Sequence, residues 1–549
     1  LNPDFAEAYS NLGSALIDLG KYKNAEFYIR QATIINPLFT EAYSKLGNIF
    51  NNLGNFKEAN IYFNKCLELE PNDLAYNIQA KLFLSRIPES QIQIKKERDE
   101  LKKQIKLIGN NSNIIYKNNH LPNSIDFIFY LAYHNCDDDK ILLESIAKNL
   151  SKKNGLINYS FNKENAIKKS LSRKKIRLGI CSNFLYSHSV TDCYLKLIED
   201  IAKSGIEIII FRSLGDKVDK LTKYIDTIAS QTIILPDSFE ISSNLIIESS
   251  VDILLYLDIG MSTKTYLLSL SRLALVQVLG GGHPNTSGSP NIDYFISSKY
   301  LETEKSDEYY SERLIRLSNL PVNYPIPKFE ASMLSRSDLN TKADDFLIGL
   351  PHTLFKYHHD FDFILDEILK EIPNAKLLFF ANKEKFAAKQ LIKRWNENTK
   401  FILNRTIMVP FMNFDKYMST LKNVDIILDP FYFGMGNTFF QAMALGIPVV
   451  TMPGTKSGGR VVFAGYKQMD IKDPPQANSP DEYISICKKL AFDHSYRNNL
   501  KSQINDESRS RIFNDRNIYK EYIEFFNASL NAAKSDKLLP NNWQPKLNF

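Results

Sequence analysis

The sequence predicts an α/β protein with two consecutive doubly wound, Rossmann-like domains behind an all-α repeat region. Three observations predict it. From Lys174 onward, short runs rich in Ile, Val and Leu alternate with amphipathic stretches, the texture of parallel sheets covered on both faces. That texture stops once, at a Pro-rich stretch (321–327) and a polar segment (332–345), and then begins again. Before Lys174 the chain instead repeats itself with a 34-residue period.

In the repeats, Asn2-Pro3 recurs as Asn36-Pro37, and Tyr9, Gly13, Gly20, Ala25 and Tyr28 recur as Tyr43, Gly47, Gly54, Ala59 and Tyr62. Period and pattern fit the helix-turn-helix tetratricopeptide (TPR) unit, with glycine at close helix approaches and turns. Residues 1–71 are assigned to it. Two repeats are marginal as a solenoid, and the chain opens on Leu1 inside a repeat. Further repeats are therefore expected upstream, or the helices that follow cap the array. The array reads equally well as a concave polypeptide-binding surface and as a spacer or dimerisation arm. Residues 72–172 read as a helical linker domain, and Asp137-Asp138-Asp139 as a solvated helix start rather than a metal site.

Composition narrows the class. Of 549 residues, 68 are basic and 62 acidic, a net charge of +6 that gives no footprint for nucleic acid. The five cysteines are scattered without a CxxC pair, which argues against a disulfide framework or zinc site and predicts a reducing cytoplasm. No apolar run reaches the length of a membrane span, and no signal peptide is visible.

Strands are expected at 176–181, 206–211, 232–235, 251–257 and 275–279 in a first domain (173–335). They are expected at 346–350, 376–381, 406–409, 424–428 and 448–452 in a second (340–505), followed by a helix and tail (506–549). Open α/β sheets bind ligands at their strand C-terminal edges, so two such domains predict a cleft between them. A GxxxxGK[ST] run is absent, as is a GxGxxG after the first strand, which excludes a P-loop hydrolase and weakens a dehydrogenase.

Four segments at such edges carry candidate chemistry. From Asp429 to Pro448 a Gly-rich loop leads into a helix. Gly434 and Gly436 let the backbone approach a ligand, Asn437 and Thr438 are N-cap types, and the helix start suits a diphosphate. Gln441, one turn on, is placed to reach ribose hydroxyls. In the second segment Lys356 follows the first strand of the second domain, where its ammonium can neutralise a leaving diphosphate. Thr353 beside it, and Met412 after the strand at 406–409, complete the expected nucleotide-sugar side. The third segment, Gly280 to Phe295, offers His283, Thr286, Ser287 and Gly288 to a sugar or acceptor. The fourth places His188 at a helix start after the first strand.

These segments resemble the O-linked N-acetylglucosamine transferase family, with its SPINDLY-like and bacterial protein N-glucosyltransferase branches. The likeness rests on NFLYSHSVTD, VDILLYLDIGMS, LVQVLGGGHPNTSGSPNIDYF, YYSERLIRL, LFK and DPFYFGMGNTFFQAMALGIPVVTMPG. It implies a GT-B fold and inverting, metal-independent transfer from a nucleotide sugar to a protein side chain, with no cofactor. The family's phosphate-binding lysine falls on Lys356, its diphosphate-binding helix start on Asn437 and Thr438, its catalytic-region histidine on His188. The histidine of the bacterial GHP motif falls on His283, and a recurrent arginine on Arg460. The chain departs from the animal-type enzymes in carrying Gln441 where they have a carboxylate. Tyr417 and Phe414 stand where the family has a histidine and a lysine.

The expected function is transfer of GlcNAc from UDP-GlcNAc to Ser/Thr hydroxyls of proteins, with His188 or His283 orienting or deprotonating the acceptor. UDP-glucose or GDP-fucose as donor, and a catalytically weak TPR protein that senses nucleotide sugars, are the alternatives. The expected partners are the donor and a polypeptide bound through TPR surface and cleft, with no nucleic acid or membrane; oligomerisation stays open.

Overall fold

The computed structural model describes residues 5–117, 125–153, 159–330, 335–380, 385–513, 515 and 517–546. Helices Ala6–Asp18, Tyr22–Ile35, Thr40–Asn52 and Phe56–Leu69 form two antiparallel pairs around Ala25, Ile29, Ala42, Leu46 and Ile49. A Cβ at Gly47 would sit 2.3 Å from the Phe63 ring, so glycine is what lets the second pair close. Leu74–Lys81, capped by Asp73, continues the stack into Gln91–Asn110 and Asp139–Leu150. The acidic run does start a helix, with Asp137 exposed as expected but Asp138 and Asp139 tied into ion pairs. Arg98 lies 2.5 Å from Asp138 and 2.7 Å from Asp139, and Lys456 reaches Asp139 at 2.7 Å.

The first sheet has seven parallel strands in the order β3-β2-β1-β4-β5-β6-β7. They are β1 Arg177–Cys181, β2 Glu207–Ser213, β3 Gln231–Leu235, β4 Ile253–Tyr256, β5 Val276–Leu279, β6 Tyr294–Ser298 and β7 Arg313–Leu317. The first five match the apolar runs. The last two escaped because β6 begins directly at the end of the Gly/Pro/Ser-rich loop, and edge strand β7 interrupts its apolar residues with Arg313 and Arg316. Arg316 pairs with Asp307, and Arg313 donates to the Leu539 carbonyl.

The second sheet has five parallel strands in the order β10-β9-β8-β11-β12. These are β8 Phe346–Leu350, β9 Ala375–Phe380, β10 Thr406–Val409, β11 Ile426–Leu428 and β12 Val449–Val450. All five lie where the sequence predicts them. Both sheets carry nearly unbroken apolar strands, as two-sided burial requires.

The C-terminal helix, Ile518–Lys534, crosses back to the first sheet. Phe525 meets Tyr294 edge-on at 5.3 Å, and Tyr522 donates to the Pro321 carbonyl at 2.8 Å. The strand-end loops of the two sheets touch. Tyr310 and Ser457 share a hydrogen bond at 2.9 Å, and Arg460 donates to the Leu301 and Gly454 carbonyls. Among the described residues, no helix is long and apolar enough to cross a membrane.

Candidate active site

The second domain supplies a cradle at the ends of β8 and β11. Lys356 closes a short 3-10 turn after β8, and its ammonium donates to the Gly434 carbonyl at 2.7 Å. It also lies 5.0 Å from the centre of the Phe433 ring. Burial pushes its pKa down to about 8, and the nearby Asp429 carboxylate partly offsets that. Asp429 accepts from the Met435 N–H and the Thr451 hydroxyl, each at 2.7 Å, and burial lifts it to about 6. A Cβ on Gly434 would stand 2.3 Å from that carboxylate, so the loop takes this path only with glycine there. Tyr432 enters the loop at φ +70°, a left-handed strain fixed by its hydroxyl on Asp360 at 2.8 Å.

The helix Asn437–Ala444 starts inside this cradle. Its cap is Gly436, not Asn437 or Thr438: those two are the first helical residues, and no side chain caps the end. Asn437 accepts from the Cys193 thiol at 3.5 Å, and the Thr438 hydroxyl is buried without a partner. An uncapped helix start beside an ammonium has the dipole and the free N–H groups that suit an anion. Thr353 is exposed at the mouth of the turn, and Met412 receives the Thr420 hydroxyl at 3.4 Å. Gln441 is not free as expected, because its carbonyl accepts from Tyr417 at 3.0 Å. One of the two lone pairs of that carbonyl is thereby taken.

The first domain contributes differently from what the sequence suggests. His188 is the N-cap of helix Ser189–Lys203, its Nδ1 accepting from the Val190 N–H at 3.2 Å, with its ring stacked on Phe184. An Nδ1 that accepts is unprotonated, so the proton of the neutral ring sits on Nε2. Burial first and Lys217 second lower its pKa, keeping the ring neutral. With Nδ1 engaged by the cap, Nε2–H is the donor that the ring has left. His283 is buried, its ring 5.0 Å from Phe129, and burial takes its pKa down to about 4.

Thr286 and Ser287 are buried and committed to Glu312, with the Thr286 hydroxyl at 2.6 Å, the Ser287 N–H at 2.8 Å and the Ser287 hydroxyl also donating. Gly288, at φ +69°, lets the helical region approach: a Cβ there would lie 2.3 Å from the Leu143 carbonyl carbon. These three positions, expected to face sugar or acceptor, fasten the loop instead. Glu312→Ala leaves three buried donors without their acceptor. It is expected to cost roughly 3 kcal/mol, visible as a thermal midpoint lowered by about 5–10 °C.

An aromatic layer joins the modules over the cradle. Tyr133 stacks on Phe433 at 4.1 Å, and Phe129, Tyr130 and Tyr133 all meet Phe355 within 5.6 Å. Sequence reasoning singled out neither Asp429 nor Glu312. An acid at the end of a buried strand before a Gly-rich loop was the available signal for the first; Glu312, inside YYSERLIRL, gave none. Next to Lys356, the ligand atoms of His358, His359 and Asp360 lie within 4.8 Å of one another. Capping accounts for part of this, since His358 Nδ1 accepts from the Asp360 N–H at 3.3 Å.

Lys356 assists an anionic leaving group only while protonated, and its depressed pKa sets an alkaline limit. The kcat/KM of the free protein is therefore expected to fall as pH rises through about 8. A pH profile flat to the ordinary lysine range would remove Lys356 from that role.

The tetratricopeptide repeat family model matches residues 6–37 and 40–73. The chain is 24% identical over 342 residues to SPINDLY of Petunia hybrida, described as a probable UDP-N-acetylglucosamine–peptide N-acetylglucosaminyltransferase; this covers 61% of this chain and 36% of that protein. It is 27% identical over 249 residues to the UDP-glucose:protein N-beta-glucosyltransferase of Actinobacillus pleuropneumoniae serotype 5b, covering 45% of this chain and 39% of that one. The chain thus spans little more than a third of either relative's length. The solved O-GlcNAc transferase of Thermobaculum terrenum superposes with a TM-score of 0.73 at 18% identity, over 97% of this chain and 98% of that one. By sequence the chain is similar to SPINDLY-like proteins and to a bacterial protein N-glucosyltransferase, and by fold it shares a GT-B pair of Rossmann-like domains behind TPR repeats.

Proposed function

We propose that the chain is an inverting, metal-independent glycosyltransferase that moves a sugar from a nucleoside-diphosphate donor to a polypeptide side chain. The observation that carries this is the Lys356 ammonium poised at the uncapped start of helix Asn437–Ala444. The acceptor oxygen attacks the anomeric carbon from the face opposite the diphosphate. The bond from that carbon to the phosphate oxygen breaks, its electron pair stays on the diphosphate, and the acceptor proton leaves to solvent. Lys356 and the helix N–H groups, oriented before the reaction, stabilise the charge that builds on the leaving group. His188 offers Nε2–H to the cleft and orients rather than deprotonates. GlcNAc from UDP-GlcNAc onto Ser/Thr is the preferred pairing. The relatives named for UDP-GlcNAc and for UDP-glucose support a uridine donor. The five unpaired cysteines support a cytoplasmic setting.

One observation favours a second reading, a nucleotide-sugar sensor: the Tyr417 hydroxyl occupies the carbonyl of Gln441, leaving fewer acceptors for a ribose. Transfer of labelled GlcNAc and glucose from their UDP donors to polypeptide, in EDTA, separates the readings. Incorporation unaffected by EDTA is expected. Tight UDP binding without incorporation would favour the sensor, and rescue by added Mg²⁺ or Mn²⁺ would overturn metal independence. Removing residues 1–71 is expected to abolish transfer to a protein acceptor; unchanged transfer would reduce the repeats to a spacer.

A further inference from the structure

The turn that delivers Lys356 is gripped from behind by a buried ion pair. Arg394, on helix Lys385–Asn398, and Asp362, on helix His359–Glu371, are 2% and 4% exposed. Arg394 donates from Nε and one terminal nitrogen to the two Asp362 oxygens, at 2.6 and 2.9 Å. The same terminal nitrogen donates to the Tyr357 carbonyl at 2.6 Å, and the other one to the Pro88 carbonyl of the helical region at 3.0 Å. We propose that Arg394 is a positioning residue for Lys356, and that its grip is complete only with the helical region docked. The inference rests on the transferase reading above and adds a residue that acts through its lysine.

The path from guanidinium to ammonium is short. Tyr357 directly follows Lys356 and closes its 3-10 turn. Its hydroxyl donates to the Leu350 carbonyl at the end of β8 at 2.9 Å. The turn is thus tied to the sheet by the Tyr357 side chain and to Arg394 by the Tyr357 main chain. Held in this way, it aims the ammonium at the Gly434 carbonyl. Catalysis by a preorganised charge depends on such aim.

The chemistry of the pair suits aiming better than it suits stability. A buried ion pair adds little over apolar residues of the same volume, because desolvation offsets the attraction. A guanidinium, in contrast, presents donors in one plane to a carboxylate and two carbonyls at once. Asp362 fixes that plane, and the Trp395 Nε1–H fixes Asp362 at 2.8 Å. Pro88 brings in the third module, since its neighbour Ile87 is buried in the apolar core of the second domain. A shift of the helical region would therefore reach the lysine through one guanidinium.

The test is a double-mutant cycle on the full chain. Arg394→Lys is combined with Lys356→Ala, and all four proteins are read for turnover and, by calorimetry, for UDP affinity. Alone, Arg394→Lys is expected to lower kcat about 30-fold but UDP affinity only about fivefold, with the donor KM rising no more than that. In the Lys356→Ala background both effects should shrink below about twofold, because the group being aimed is gone. Arg394→Met together with Asp362→Leu replaces the pair by apolar side chains, an exchange that folds generally tolerate, and should give the same cycle. Equal effects with and without Lys356, or a fold lost in both kinds of variant, would make the pair a structural tie and overturn the positioning role. Non-additive UDP binding without any sugar transfer by the parent protein would sink the transferase reading and leave the grip standing. Transfer by the parent protein with additive effects would do the reverse.

Discussion

Replacing Lys356 by Ala is expected to lower turnover by about 10²–10³-fold, the usual consequence of losing one preorganised donor at a developing anion. Charge on the diphosphate is greatest in the transition state, so kcat should fall by more than donor affinity does. The fold should survive, because the ammonium contacts the Gly434 carbonyl and the Phe433 face but belongs to neither apolar core. Arg should not rescue: a guanidinium is wider, does not titrate near 8, and cannot occupy the turn that delivers one nitrogen to Gly434. Steady-state kinetics on the Ala and Arg variants, with circular dichroism as control, reads the outcome. Wild-type turnover in Lys356→Ala would remove the ammonium from the mechanism.

The second large effect belongs to Gly434→Ala. The added methyl would lie 2.3 Å from an Asp429 oxygen, and that carboxylate is buried and held by Met435 and Thr451. Either the acid gives up its hydrogen bonds or the loop moves, at a cost of about 1–3 kcal/mol. Because the same loop leads into the helix start, donor affinity should fall about 10–100-fold. Calorimetric titration with UDP measures it. Gly454→Ala is the control, since a Cβ there meets nothing within 4 Å; it should bind UDP like the parent protein. Equal affinities in the two variants would mean that the loop is not part of the nucleotide site.

The parts of this molecule legible in its sequence are those built by local pattern. The repeat period locates the helix pairs, since Gly13 and Gly47 occur where helices touch. Ten strands follow from apolar runs, because strands buried on both faces need little else. The placement of the cradle residues was legible as well: Lys356 and the Gly-rich loop each stand at a strand's C-terminal edge. What escaped depends on distant partners. Nothing near Thr286 and Ser287 shows that Glu312, just before β7, claims their hydroxyls. His283 resembles a site histidine until Phe129, far back in the chain, closes over it. Gln441 has a free amide in the sequence and a bonded one in the fold, through Tyr417. The N-cap assignment missed by one residue, since the backbone at Gly436 turns before Asn437 can cap. In each case tertiary packing reassigned a polar group that local chemistry had made available.

The account's central claim is that this cradle holds the diphosphate of a nucleotide sugar and drives transfer to protein. The direct measurement offers UDP-GlcNAc, UDP-glucose and GDP-fucose to the protein with bacterial lysate as acceptor, and maps modified residues by mass spectrometry, with Lys356→Ala in parallel. The account predicts a single-sugar mass increment on Ser or Thr from a UDP donor, absent in the variant. An increment of equal yield in the variant, or none from any donor while UDP still binds, would contradict it.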